Sequence, residues 1–159
     1  MLEKIKKLGT GYFISLGALV LILISMFLSI ASSSNLGFSI DELPLIIVFS
    51  ILAILCIVGS GFLTLKFKNN PLSYLPLLVA AVLAGVCFIY VINSRTYLMG
   101  TLWFTKLDQS NQYAVAAMNT GAPAFIMYFL SMIVLTVASF FNLFNTKAVE
   151  TKAEETTNA

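Results

Sequence analysis

Apolar and polar residues fall in long separate blocks along this chain. Four stretches, Gly11 to Ala31, Pro44 to Leu65, Leu72 to Ile92 and Ala122 to Phe144, contain no Asp, Glu, Lys or Arg. Each reaches the roughly 20 residues that an α-helix needs to cross a hydrocarbon layer at about 1.5 Å per residue. A transmembrane barrel would instead show shorter segments with strict alternation. In lipid only a helix or a closed barrel satisfies its own backbone, so the pattern predicts four transmembrane helices.

The breaks between blocks carry boundary signals. Asp41 and Glu42 precede Pro44, which suits a helix start, since acids favour the N-terminus and proline tolerates the first turn. Pro71 after Asn69 and Asn70 predicts the third start, with Pro76 placed to kink the helix. Gly121 with Pro123 predicts a fresh start for the fourth.

Small residues recur inside the blocks at steps of three and four. In the first they are Gly11, Ser15, Ala18, Ser25 and Ser29, with Ile22 in the gap, and in the second Ser50, Ala53, Ser60 and Thr64, with Ile57. The third has Ser73, Ala80, Ala84 and Cys87, with a second small pair at Ala81 and Gly85, and the fourth Ala124, Ser131, Ala138 and Asn142, spaced by Tyr128 and Leu135. Lipid tails give no hydrophobic drive to helix association, so close approach at small residues must supply it. A repeat near 3.5 residues keeps one seam facing its neighbours. The expected fold is an all-α membrane protein, an antiparallel four-helix transmembrane bundle with a short helical extracytoplasmic cap between helices 3 and 4. A hydroxyl-lined path along the bundle axis is the functional alternative to plain packing.

Charge adds a direction. Lys4, Lys6, Lys7, Lys66, Lys68, Lys147 and Lys152 fall on one side of such a topology, and only Arg95 and Lys106 on the other. Seven basic residues against two predict cytoplasmic N- and C-termini in a multi-pass plasma-membrane protein. A competing reading takes the first block as a signal peptide cleaved after Ser29-Ile30-Ala31, but that block exceeds the usual apolar length and three more follow.

Composition agrees. The 159 residues are 59% hydrophobic and 10% charged, with a mean hydropathy of +0.96, whereas a soluble domain carries about 25% charged residues. The expected organisation is a basic segment 1–10, a transmembrane domain 11–145 and a polar, disordered cytoplasmic tail 146–159.

The long connection 93–121 is expected outside. From Thr96 to Gln109, Leu98, Met99, Leu102, Trp103 and Leu107 fall largely on one helical face, as an interfacial helix or a continuation of the third span, although Gly100 weakens it. Trp103, with Tyr97 and Phe104, suits the aromatic belt of a membrane surface. Ser110 is expected to cap a short helix through Tyr113, Val115 and Met118 that ends at Asn119 to Gly121. Tyr97, Met99, Trp103, Tyr113 and Met118 form the candidate interaction surface.

Catalytic chemistry is not evident. There is no histidine, and Cys56 and Cys87 form no CxxC pair, so neither a metal site nor a cofactor is expected. The spans as bounded hold no ionisable residue of the kind that marks ion pathways. The expected partners are the lipid bilayer and a membrane protein or further copies of the chain, with no nucleic acid. The expected function is non-catalytic, that of a structural or accessory subunit. The alternatives are an oligomeric pore or small-molecule permeation protein and a receptor or immunity-type protein that meets an external ligand through residues 94–120.

Overall fold

The computed structural model describes residues 8–35, 38–67, 72, 74–105 and 111–141. Lys4, Lys6, Lys7, Lys68, Pro71, Ser73, Lys106, Leu107, Asp108, Ser110, Asn142 and the tail from Thr146 to Ala159 lie outside them. Regular structure among the described residues is entirely helical. Helix α1 spans Thr10–Ser33, α2 Leu43–Phe67, α3 Leu75–Gly100 and α4 Gln112–Ser139, and a π-helical segment, Thr101–Thr105, continues α3. All four are long and apolar enough to cross a membrane.

Local chemistry sets the helix ends. The last carbonyls of α1 are taken up by Ser34, whose Oγ donates to Ile30 O at 2.8 Å, and by Asn35, whose Nδ2 donates to Ala31 O at 3.2 Å. Pro44 lies in the first turn of α2, where its missing N–H has no intrahelical acceptor to lose. The same reason moves the start of α3: it begins at Leu75, with Pro76 in the first turn. Pro76 is therefore a starting residue and not a kink.

Two expectations about the region before the fourth span are corrected. Residues 112–121 form no separate short helix ending at Asn119 to Gly121; α4 runs unbroken from Gln112 to Ser139 with Pro123 inside it. Its cap is Asn111, whose Oδ1 accepts from the backbone N–H groups of Tyr113 at 3.0 Å and Ala114 at 3.4 Å. A proline in a helix frees one carbonyl, here that of Asn119, and packed membrane helices tolerate this. Gly121 does not stop the helix because its bare face is needed against a neighbour. A Cβ there would lie 2.9 Å from Ser32 Oγ and 3.0 Å from Arg95 Nε.

Helix α1 packs on α2 and most extensively on α4, and α3 packs on the other sides of α2 and α4. The start of α1 meets the end of α4, where a Cβ on Gly11 would lie 2.6 Å from Phe141 O and 2.9 Å from Ala138 O. The end of α1 meets the start of α4, where Ser32 Oγ donates to Ala117 O at 2.6 Å. The interior is made of the seams. Gly11, Ser15, Ala18, Ile22, Ser25, Ser29 and Ser32 are the buried residues of α1. Ser50, Ala53, Ile57, Ser60 and Thr64 are buried in α2, Ala80, Ala81, Ala84 and Cys87 in α3, and Ala124, Tyr128, Ser131, Leu135 and Ala138 in α4.

Only 28–33% of each helix's apolar window is buried within the protein. The remaining faces carry large side chains such as Phe27, Leu55, Phe62, Val82 and Ile89. Apolar surface on this scale is stable only in an apolar solvent.

Candidate functional site

The seams converge on a polar knot in the interior. Ser50 of α2 and Tyr128 of α4 share a hydrogen bond of 2.7 Å, and both are wholly buried. Cys87 of α3 lies 3.7 Å from Ser50 Oγ, and its thiol donates to Ile46 O at 3.6 Å. Most other seam hydroxyls turn back on their own helices. Ser15 donates to Tyr12 O, Ser25 to Leu21 O, Ser29 to Ser25 O, Ser60 to Ile57 O, Thr64 to Ser60 O and Ser131 to Tyr128 O, all within 2.7–2.8 Å. A hydroxyl bonded to its own backbone lets helices approach without an unpaired donor. Among the described residues no three Cys, Asp or Glu side chains converge as a metal-ligand set.

Residues 95–105 and 111–121 lie at the end of the assembly away from Thr10 and Ser139, and here the surface changes character. The π-helical segment extends α3 and carries Trp103, 76% exposed, and Phe104, 90% exposed, with Tyr97 one and a half turns earlier at 84%. Two open grooves flank Trp103. One, of about 580 Å³, is lined by Leu102, Trp103, Val115, Met118 and Asn119 between the π-helical segment and α4. The other, of about 420 Å³, is lined by Thr96, Met99, Gly100, Trp103 and Phe104. Of the five candidate surface residues, Trp103, Met99 and Met118 share this groove system. Tyr97 and Tyr113 are exposed but line neither groove.

The face proposed for residues 96–109 is split by the fold. Leu98 and Leu102 turn inward with Ala114 and Ala117 into a small second core, against which Phe38 and Met118 pack. Met99 and Trp103 turn outward.

The residue that sequence reasoning missed is Arg95. It reads as a loop charge when the third span is closed at Ile92. In the structure it is a mid-helix residue on the buried face of α3, after Cys87 and Val91 and before Leu98. It is only 2% exposed and sits between the main core and the second one. Nη1 donates to Phe38 O at 2.8 Å, while Nε and Nη2 have no hydrogen-bond partner. Continuing the α3 seam by steps of four, Cys87 to Val91 to Arg95, would have found it. Ser32 was missed in the same way, one step of three beyond Ser29.

Set against known proteins, the chain matches no family, no curated protein and no solved structure, and its function is read from its own residues.

Proposed function

We propose that this chain is a non-catalytic, structural or accessory plasma-membrane protein that engages a membrane partner through the Trp103 end. In this reading the four helices cross the bilayer as an antiparallel bundle with both termini cytoplasmic. The continuous α3–π segment and the first turns of α4 then form a helical cap outside. The observation that carries it is the contrast between the two regions. Along the spans most seam hydroxyls are closed on their own backbones, and Ser50 and Ser32 bond to neighbouring helices, which is the chemistry of a scaffold. At the Trp103 end, large aromatics stand exposed around two grooves, the residue types that anchor protein contacts.

A pore through one copy is disfavoured by the wholly buried Ile22, Ile57 and Leu135 side chains that fill the seams between the hydroxyls. The test is photo-crosslinking from position 103 in intact cells, with position 62 of α2 as a lipid-facing control, followed by co-purification in mild detergent. A discrete adduct from position 103 and none from position 62 is expected. Lipid-only products at both positions would remove the proposal.

A further inference from the structure

The guanidinium of Arg95 offers an edge that no described residue uses. Arginine presents five N–H donors in a rigid planar fork. Nη1 is engaged by Phe38 O, but Nε and Nη2 are both buried and both unpartnered. These two nitrogens form the side-on edge of the fork, whose parallel N–H vectors match two oxygens of one carboxylate or phosphate. No carboxylate among the described residues pairs with it; Asp41 is exposed and Glu42 half-buried, and neither bonds Arg95. A buried cation with no counter-charge among the described residues and with unpaired donors is costly, and one oxyanion would relieve both deficits at once.

Its level also bears on the ligand. Arg95 lies 20 residues beyond Leu75 in one helix, a rise of about 30 Å, which matches the hydrocarbon thickness of a bilayer. If α3 crosses the membrane from its first residue, the guanidinium stands at the headgroup level. This depth argument rests on the transmembrane reading above; the unpaired fork does not. The Nη1 side is closed by the segment Phe38–Ile40, held by the Arg95 bond to Phe38 O and by Ile40 N–H donating to Ser33 Oγ at 2.9 Å, while Nε lies beside Gly121 of α4.

We propose that the Nε–Nη2 edge of Arg95 is the recognition group of an oxyanion site at the Trp103 end. Its ligand is a phosphate group, either free or carried by an anionic lipid. The site requires a fork and not merely a positive charge, so Arg95→Lys should weaken binding by about tenfold or more.

The full chain, in a Cys56→Ser background, is purified in a phosphate-free maltoside detergent and its thermal unfolding followed by maleimide labelling of the buried Cys87. One arm adds inorganic phosphate at constant ionic strength against chloride. The other adds phosphatidylglycerol against uncharged diacylglycerol, with native mass spectrometry counting retained lipid. A saturable rise in the midpoint of the wild type in one arm, lost or shifted about tenfold in Arg95→Lys, supports the site and names the source. No saturable rise in either arm would overturn it, as would an equal response in wild type and Arg95→Lys. Arg95→Lys keeps the charge, and its own unfolding transition shows whether it folds. Neither arm contains a protein partner, so failure here is distinct from failure of docking at Trp103.

Discussion

The close backbone approach of α1 and α4 at Gly11 gives a sharp test of how the molecule is held together. A Cβ added to Gly11 would lie 2.6 Å from Phe141 O, 2.9 Å from Ala138 O and 3.1 Å from Phe141 C. All three atoms are backbone, so no side chain can swing aside. Relief requires separating the start of α1 from the end of α4 by about 0.8 Å to reach ordinary contact near ~3.4 Å. Overpacking of this kind costs about 1–3 kcal/mol. Gly17 lies on the same helix with nothing within 4 Å of an added Cβ. Alanine gains helix propensity of up to about 1 kcal/mol in a helix interior such as position 17 and less in the first turn at position 11, so the comparison removes only part of that term. Gly11→Ala should therefore be less stable than Gly17→Ala by about 1–3 kcal/mol. The assay is unfolding in detergent followed by maleimide labelling of Cys87, which is wholly buried, in a Cys56→Ser background. Equal stability of the two variants, or a more stable Gly11→Ala, would refute the close α1–α4 approach.

Three further outcomes are expected. The Ser50–Tyr128 hydrogen bond of 2.7 Å should give a coupling of about 0.5–1.5 kcal/mol in a double-mutant cycle of Ser50→Ala and Tyr128→Phe; strict additivity would show that the knot contributes nothing specific. Pro123→Ala restores a backbone donor inside α4 and should raise stability by about 1 kcal/mol, so a lowered unfolding midpoint would mean that the ring's packing outweighs the lost bond. Trp103, 76% exposed at the end of α3, should be quenched more by lipids brominated near the headgroup than by lipids brominated deep in the chains. The opposite order would place this end inside the hydrocarbon and remove it as a docking face.

Much of the architecture was legible because the lipid constraint acts on single segments. A stretch such as Pro44 to Leu65 reads as a spanning helix whatever it packs against, since its own backbone must be satisfied within it. The seams were legible too. Ser15, Ala18, Ser25 and Ser29 lie at spacings that project onto one face, and all four are buried.

Where the chain stops being helix was not legible, because that depends on neighbours. Gly121 and Pro123 are local stop signals, yet α4 runs through them because the bare face of Gly121 is what lets Ser32 and Arg95 pack against it. Gly100 is another weak position, and the helix continues past it into the π-helical segment, where Leu102 enters the second core.

Arg95 joins both lessons. Its spacing from Cys87 and Val91 was in the sequence, but an arginine at a hydrophobicity boundary is ordinarily a solvated charge. Only the three-dimensional arrangement, with Phe38 O above it and Gly121 beside it, buries the guanidinium and leaves its Nε–Nη2 edge unpaired. Sequence alone determined which segments need an apolar solvent, because that is a property of each segment's own atoms. Tertiary structure decided which polar groups lie inside and what they meet, because those partners come from other helices.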